Sequence, residues 1–340
     1  MTKAVRVGDL TIGGGDKIII QSMCNTNTAD IDATVNQILD LEKAGCELIR
    51  VAVPDEESGK ALKEITSRIH IPLAADIHFD YKLALLSADN GASKIRLNPG
   101  NLQEDKIEYV AKYLKERQIP IRIGVNGGSL EKQFSHLPLD EAMVESALYH
   151  TSLLEKNGFE DIIISVKSSN VKNMVSAYRK LSKKVDYPLH IGVTEAGTVN
   201  TGVVKSCIGI GSLLIDGIGD TIRVSLTADP IQEIIYAKRI LKSLDLSCGV
   251  EIVSCPTCAR TCIEVEKIAT ELESLTKDIK KNIKIAVMGC VVNGIGEGKD
   301  ADFGVAGGKD YSVLFKNGEK FKRIKNEEIF GELLKLIEEY

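Results

Sequence analysis

Three cysteines near the C-terminus have the residue type and spacing of a metal-binding set. Cys255 and Cys258 form a Cys-x-x-Cys turn that points two thiolates at one spot, and Cys290 follows in a glycine-flanked segment. Three thiolates fill three corners of a tetrahedral metal or iron–sulfur site. No cysteine is obvious for the fourth corner, so an iron–sulfur cluster here would keep one iron for an exchangeable ligand.

Two residues compete for that fourth corner. Cys262 would complete a structural zinc site with four thiolates, although we expect it about one turn into the following helix, where it could face away. Glu297, seven residues after Cys290, is flanked by glycines that let the backbone fold back. A carboxylate beside three thiolates is a weak, replaceable ligand, which suits an iron that a substrate must reach. Both ligand sets stay open at this point.

A second group of polar side chains lies where short β-branched runs end. Within each run their spacing is two or four residues, so they share one face of a strand. Burying an unpaired charge is costly, so these cations need a partner. Converging arginines suit a ligand with phosphate groups, because the planar guanidinium group binds two phosphate oxygens at once. The alternative is that each arginine pairs with a carboxylate on a neighbouring helix. The predicted ligand-binding residues are Arg50, Arg96, Asn98, Arg122, Asn126, Ser165, Lys167, Arg223 and Ser225.

Three residues near the same strand ends could transfer protons. Asp76 and His78 close one predicted strand, and Glu195 follows another in a glycine-containing turn. A carboxylate among cations stays ionised, and near an anionic substrate it could act as a proton donor or base. Glu195 could instead be an ion-pair partner that orients the arginines.

The elements that position these residues repeat one pattern eight times between residues 18 and 242. A short β-branched run leads through a polar turn into an amphipathic helix, and eight such units predict a closed (β/α)₈ TIM barrel. An open doubly wound sheet is the alternative. Residues 4–16 are predicted to form a hairpin that plugs the lower end of the barrel. The predicted strands are Ile18–Gln21, Leu48–Val53, Leu73–Ile77, Lys94–Leu97, Ile121–Val125, Ile162–Val166, Leu189–Val193 and Thr221–Leu226.

The pattern changes after a linker at residues 243–249. We predict a substrate-binding barrel domain over residues 1–243 and a small α+β domain that carries the cysteines over residues 250–340. The second domain should contain a strand that ends at Ser254, a long helix over about residues 262–281, and a strand over residues 283–288. A glycine-rich loop, a hairpin around Asn317-Gly318 and a terminal helix should follow.

Composition narrows the function class. The net charge of −5 argues against general binding to nucleic acid or to an anionic membrane. No apolar run reaches the roughly 20 residues that span a bilayer, and the N-terminus lacks the apolar core of a signal peptide. We therefore expect a cytoplasmic protein, in which eight cysteines indicate ligands, catalytic groups or packing residues instead of disulfides.

The motifs together resemble the family of bacterial 4-hydroxy-3-methylbut-2-enyl diphosphate synthases of the non-mevalonate isoprenoid pathway. The resemblance covers essentially the whole chain. It rests on residues 21–26, 48–51, 75–79, 95–100, 121–126 and 217–225, on the Cys255–Cys258 turn and on residues 289–294. The family usually has proline where this chain has Ile295, which leaves Glu297 in register, and Cys262 is not one of the family's ligands.

The resemblance implies a specific chemistry. Similar enzymes carry a [4Fe–4S] cluster, and the family's ligands map onto Cys255, Cys258, Cys290 and Glu297, so Glu297 is both a ligand and a candidate catalytic residue. They open the ring of 2-C-methyl-D-erythritol 2,4-cyclodiphosphate with two electrons from flavodoxin or ferredoxin, and they release water. The resemblance also implies a homodimer in which the cluster domain of one chain caps the barrel of the other.

Two other functions compete with this reductase. A zinc-stabilised phosphosugar lyase or aldolase would need Cys262 as a ligand and Lys167 for a Schiff base. The second is an electron carrier with a ferredoxin-like tail. The cationic strand ends argue against it, because they predict a pocket for a polyanion, which a carrier does not need.

Overall fold

The computed structural model describes residues 1–77, 80–277 and 279–340, apart from the side chains of residues 99 and 104. His78, one of the predicted proton-transfer residues, lies outside the described residues. The chain divides into two compact units, Met1–Leu244 and Asp245–Tyr340. In the described part of the chain, no helix is both long and apolar enough to cross a bilayer.

The first unit is a parallel eight-stranded barrel preceded by a hairpin. The hairpin consists of β1 (Val5–Val7) and β2 (Leu10–Ile12). The barrel strands are β3 (Ile19–Met23), β4 (Leu48–Ala52), β5 (Leu73–Asp76), β6 (Lys94–Arg96), β7 (Ile121–Asn126), β8 (Ile162–Lys167), β9 (His190–Ile191) and β10 (Thr221–Ile222). Strands β3 to β8 are neighbours in chain order, and β10 lies between β9 and β3. A parallel bridge between Ile164 and Leu189 joins β8 to the start of β9 and closes the barrel.

The predicted (β/α)₈ barrel is therefore confirmed, and the open sheet is excluded. Its β-branched strands are buried almost throughout, as parallel strands covered on both faces should be. The surrounding helices are α1 (Ile31–Ala44), α2 (Glu56–Arg68), α3 (Tyr81–Asp89), α4 (Glu104–Glu116), α5 (Leu139–Glu155), α6 (Val171–Leu181), α7 (Val199–Ile215) and α8 (Pro230–Lys242). Side chains of Asp30, Asp55, Asp80, Asn170 and Asp229 accept hydrogen bonds from free backbone N–H groups at the starts of five of them.

The N-terminal hairpin closes one end of the barrel, as predicted. Val5, Val7 and Ile12 are buried against one residue from each of four strands, namely Ile19, Leu48, Ala74 and Ile163. These four residues lie at or near the starts of their strands and face inward. Because side chains alternate along a strand, they identify which positions further along each strand also point into the barrel.

The second unit is a five-stranded mixed sheet with helices. Its strands, β11 (Val250–Ser254), β12 (Ile283–Met288), β13 (Phe303–Ala306), β14 (Tyr311–Lys316) and β15 (Glu319–Lys325), lie side by side in chain order. The pairs β11–β12 and β12–β13 are parallel, and the other two pairs are antiparallel. The helices are α9 (Val265–Thr276), α10 (Gly294–Glu297) and α11 (Ile329–Glu339). The predicted turn at Asn317-Gly318 is present, with positive φ at both residues.

Two predictions about this unit are wrong in detail. Helix α9 begins at Val265, so Cys262 precedes the helix instead of lying inside it. The Cys262 backbone N–H donates to the Gly289 carbonyl at 2.8 Å, which ties its segment to the turn after β12. The segment predicted as one glycine-rich loop contains helix α10 and strand β13.

Candidate functional site

The barrel interior contains most of the predicted ligand-binding residues. On four strands, the residue two positions after the inward-facing one under the hairpin is polar and shares its face. These residues are Gln21 on β3, Arg50 on β4, Asp76 on β5 and Ser165 on β8. Alternation places them one layer deeper toward the carboxyl ends of the strands, the end at which TIM barrels carry their active sites. Lys167 follows Ser165 at the same spacing, and both are buried.

Three of the predicted arginines pair with carboxylates. Arg50 Nε lies 3.6 Å from Asp76 Oδ2, and Arg96 Nη1 lies 3.3 Å from Asp76 Oδ1. Arg223 Nε lies 3.3 Å from Glu233 Oε2 on α8. Burial lowers the pKa of Arg50 to about 10, although Asp76 counteracts the shift. Arg223 therefore pairs with a carboxylate on a neighbouring helix, as the alternative predicts. Arg50 and Arg96 instead share Asp76, which is on a strand and lies where it can orient both of them.

Three other buried cations contact no carboxylate among the described residues. The Arg122 side chain is 2% exposed, and its Nε has no hydrogen-bond partner among the described residues. Lys94 Nζ donates to Gln21 Oε1 at 3.0 Å. Lys167 Nζ lies 3.0 Å from His190 Nε2. These cations have been removed from water without a contacting carboxylate among the described residues, which is costly unless a ligand supplies negative charge.

The electrostatics of this set favour an anion. Six cationic side chains (Arg50, Lys94, Arg96, Arg122, Lys167 and Arg223) outnumber the two carboxylates that contact them, Asp76 and Glu233. Burial is the first reason that the pKa values of Lys94, Arg122 and Lys167 lie well below their usual values, and neighbouring cations lower them further. A polyanion would relieve both effects, because it stabilises the charged forms.

A glycine makes room for two of the guanidinium groups. A Cβ at Gly124 would lie 2.8 Å from Arg96 Nε and 3.2 Å from Arg122 Nη1. The Gly124 backbone is held from the neighbouring loop, since its N–H donates to Asn98 Oδ1 at 2.8 Å and its carbonyl accepts from Asn98 Nδ2 at 3.0 Å. Asn98 thus braces the strand that carries Arg122. The predicted residues Asn126 and Ser225 are half-buried.

Glu195 stands apart from the buried set. It is exposed and follows β9 in the turn before α7. Its φ of 51° is in the left-handed region, which a non-glycine residue seldom adopts. Such strain persists where the surrounding structure holds it and is concentrated at functional sites. This backbone geometry is compatible with the predicted role of Glu195 in proton transfer.

Sequence reasoning missed several polar residues of the barrel. Gln21, Lys94 and His190 lie inside predicted strands, where alternation could have identified them as inward-facing. Glu233 is on α8, and its contact with Arg223 depends on how the helix packs. His150 on α5 accepts from the Gly100 N–H at 2.8 Å and lies 2.7 Å from Glu131, which links the loops after β6 and β7.

In the second unit, adjacent parallel strands bring two of the predicted cysteine ligands to one end of the sheet. Cys255 follows β11 and Cys290 follows β12, and these strands pair up to Ser254 and Val287. The Gly289 N–H donates to Cys255 Sγ at 3.1 Å. Backbone N–H groups that donate to cysteine sulfur stabilise a thiolate and tune a metal centre bound to it.

The other predicted ligands lie on the turns beside this strand end. Cys258 is exposed, and a hydrogen bond with the Arg260 backbone is the first cause that lowers the pKa of its thiol. The Gly294 N–H donates to the Cys290 carbonyl at the start of α10, and that helix ends at Glu297. Cys262 is exposed, and its Sγ donates to the Arg260 carbonyl at 3.3 Å.

The donor set fits a thiolate-bound metal centre in its chemistry. One cysteine already accepts a backbone N–H, and another has a thiol pKa shifted toward the thiolate. Among the residues that the structure describes, no three His, Cys, Asp or Glu side chains are gathered in a metal-binding arrangement. The ligand assignment to Cys255, Cys258, Cys290 and Glu297 therefore stays a prediction, which rests on chain position and donor chemistry.

Both units match known families. Residues 2–238 match the family described as the GcpE TIM-barrel domain, and residues 251–339 match the GcpE protein C-terminal domain. The two matches together cover nearly the whole chain.

Curated relatives resemble the chain along its full length. A protein of Caldanaerobacter subterraneus subsp. tengcongensis and one of Fusobacterium nucleatum are each 56% identical over 99% of this chain and 97% of the relative. One of Geobacillus thermodenitrificans is 51% identical over 100% of this chain and 93% of the relative. All three are named 4-hydroxy-3-methylbut-2-en-1-yl diphosphate synthase (flavodoxin).

Two solved structures of another enzyme resemble the chain in fold. Dihydropteroate synthase of Yersinia pestis is 15% identical, with a TM-score of 0.53 over 71% of this chain and 98% of its own. A second dihydropteroate synthase structure gives a TM-score of 0.54 at 15% identity, over 72% of this chain and 99% of its own. At this identity the likeness shows a common architecture and no common chemistry.

Proposed function

This chain belongs to the GcpE family, and we propose that it converts 2-C-methyl-D-erythritol 2,4-cyclodiphosphate to 4-hydroxy-3-methylbut-2-enyl diphosphate. The observation that carries the proposal is the buried Arg122 guanidinium, whose Nε has no hydrogen-bond partner among the described residues, beside Lys94 and Lys167, which contact no carboxylate there. A cyclic diphosphate would supply the missing negative charge. The substrate-binding residues would be the interior cations with Asn98, Asn126, Ser165 and Ser225.

The barrel residues divide into two roles under this proposal. Arg122, Lys94 and Lys167 are available to the substrate phosphates, because no described carboxylate forms an ion pair with them. Asp76 holds Arg50 and Arg96 in place, so we assign it an orienting role ahead of proton transfer. Glu195, on its strained turn, is the proposed proton donor, and His78 remains a second candidate.

The proposed cofactor is a [4Fe–4S] cluster held by Cys255, Cys258, Cys290 and Glu297. When bound, it supplies electrons singly to the substrate. The reaction takes two electrons and two protons; a ring carbon–oxygen bond at one phosphate breaks, and one hydroxyl leaves as water. This chain's residues would bind the two phosphate groups and protonate the departing hydroxyl.

The proposed electron donor is flavodoxin, because the curated relatives are named for it. Ferredoxin is the alternative donor. We also propose a homodimer in which each active site draws on both chains, as the resemblance to the family implies, and a cytoplasmic location. The zinc-dependent lyase is not favoured, because the quoted relatives are named as the synthase and Cys262 is turned to the Arg260 carbonyl.

Turnover without oxygen tests the proposal. The full-length protein with a reconstituted cluster is mixed with the cyclodiphosphate and reduced flavodoxin, and the product is identified by mass. We expect one 4-hydroxy-3-methylbut-2-enyl diphosphate for every two electrons consumed. A protein that carries four irons and four sulfides per chain but leaves the cyclodiphosphate unchanged would contradict the proposal.

A further inference from the structure

A fully buried histidine lies at the centre of a polar chain inside the barrel. His190 on β9 has its Nε2 3.0 Å from Lys167 Nζ on β8 and its Nδ1 2.6 Å from Thr221 Oγ1 on β10. The His190 carbonyl accepts a hydrogen bond from the Tyr178 hydroxyl at 2.6 Å. Three adjacent strands therefore fix the ring, and its two nitrogens have one partner each.

The lysine amine occupies a space that the fold keeps open. A Cβ at Gly192 would lie 3.2 Å from Lys167 Nζ and 2.3 Å from the Arg223 carbonyl oxygen. Any larger residue at Gly192 would therefore disturb both the amine and the neighbouring strand. Within the described residues, the His190 ring is the one hydrogen-bond partner of the Lys167 amine.

Charge decides the state of the imidazole. Burial is the first cause that lowers the pKa of His190 well below its usual value, and Lys167, Arg122, Lys94 and Arg50 lower it further. The ring is therefore neutral and offers one nitrogen as an acceptor. An ammonium at Lys167 only donates, so it would require Nε2 as the acceptor and leave the ring proton on Nδ1, directed at Thr221.

We propose that His190 is a positioning residue for the anion site, whose Nε2 accepts a hydrogen bond from the Lys167 ammonium when a diphosphate ligand is bound. The two remaining N–H groups of that ammonium then point at phosphate oxygens. This inference rests on the proposed function and deepens it, because it assigns a residue that orders the substrate's phosphate contacts.

The proposal predicts that binding and protonation are linked. In the ligand-free protein, the pKa of Lys167 is lowered first by burial and then by the neighbouring cations Arg122, Arg223 and Arg50. Glu233 raises it. An arriving anion favours the charged lysine, and so does an acceptor at His190. Ligand binding should therefore take up protons, and the affinity should fall as the pH rises through the pKa of Lys167 in the complex.

Two matched substitutions separate positioning from mere packing. In His190→Gln the side-chain oxygen reaches toward the place of Nε2, whereas the shorter side chain of His190→Asn ends near Nδ1. Calorimetry on the full-length, oxidised, cluster-loaded protein would measure the binding of the cyclodiphosphate and of inorganic pyrophosphate. We expect His190→Asn to bind both roughly tenfold more weakly and to lose affinity at lower pH than the wild type. His190→Gln should stay within about threefold of the wild type.

A second measurement needs no variant. In the pyrophosphate-bound wild type, ¹⁵N NMR of labelled histidine should show His190 with the proton on Nδ1. A proton on Nε2, or equal losses of affinity in both variants at every pH, would overturn the role of His190 and leave the proposed function intact. A wild-type protein that binds neither ligand would overturn the proposed function together with this inference.

Discussion

The barrel interior and the cysteine-bearing end of the C-terminal sheet hold their functional side chains in opposite ways. Three of the six barrel cations are buried and three are half-buried, and most are fixed by contacts to neighbouring strands. The three predicted cysteine ligands lie on turns and Glu297 ends the short helix α10; Cys258 and Glu297 are exposed. The barrel site is formed by folding alone, whereas the cysteine site would require the proposed cluster to gather the side chains.

This difference follows from what each site must resist. Six like charges in one interior repel one another, so the fold has to impose their arrangement and accept its cost in stability. Thiolates around a metal are held by the metal itself, so the fold needs only to bring their backbones to one strand end. Changes in the two sites should accordingly have different consequences.

The largest effect should come from a cluster ligand. Cys290→Ala removes one of the predicted thiolates, so we expect iron and sulfide to fall to background and turnover to disappear. Binding of the cyclodiphosphate should stay within about threefold, because the barrel cations are unchanged. Metal analysis and calorimetry would measure both. Cys262→Ser is the matched control and should keep its iron; loss of iron from that variant instead would contradict the ligand assignment.

The paired arginines should matter for stability. Arg223→Met leaves Glu233, which is 4% exposed, without its ion-pair partner, and should lower the free energy of unfolding by about 3–5 kcal/mol. Urea denaturation would measure the loss. The double variant Arg223→Met with Glu233→Gln should recover part of it, because the buried charge is gone. No recovery would mean that the ion pair is not the cause.

Buried lysine should make stability depend on pH. The folded-state pKa of Lys94 lies well below its ordinary value of 10.5, so between the two values the unfolded chain binds more protons. The free energy of unfolding then rises with pH, by up to about 1.4 kcal/mol per pH unit for this group. Lys94→Met should therefore be more stable than the wild type at neutral pH, with an advantage that shrinks toward pH 10.5. Denaturation of the ligand-free protein at several pH values measures this difference in the free energy of unfolding. A stability advantage of Lys94→Met that grows as the pH rises would contradict this explanation.

A smaller effect should follow from crowding the guanidinium groups. Gly124→Ala puts a methyl group 2.8 Å from Arg96 Nε, so that side chain must shift. We expect the affinity for the cyclodiphosphate to fall roughly tenfold, with a stability cost of about 1–2 kcal/mol. Gly128→Ala is the matched control, because a Cβ there meets nothing within 4 Å. Equal behaviour of the two variants would contradict the steric role of Gly124.

The architecture and the charge of the barrel site were predictable from the sequence. The β-branched runs identify all eight strands because each is buried on both faces, and the cations interrupt those runs at regular spacing. Partners were not predictable, since Glu233 reaches Arg223 only through the packing of α8. Lys94 and His190 were missed because a polar residue within a strand has no local signal that distinguishes a ligand from a packing residue.

The C-terminal unit was harder to predict for a different reason. Glycine-rich sequence has weak periodicity, so α10 and β13 were expected to be loop. The position of Cys262 depended on where α9 begins, and the backbone bond from Cys262 to Gly289 joins residues that are distant in the chain. Tertiary contacts of this kind have no signature in local sequence.

The most direct test of the account is Arg122→Met, with stability and affinity measured on the same preparation. The buried Arg122 guanidinium, whose Nε has no hydrogen-bond partner in the described part of the chain, is the feature from which we infer a pre-formed anion site. We predict that the affinity for the cyclodiphosphate falls roughly 100-fold, while the free energy of unfolding of the ligand-free protein stays the same or rises, by up to about 4 kcal/mol. A variant that binds as tightly as the wild type, or that loses stability, would contradict the claim that Arg122 is held in the barrel for the substrate.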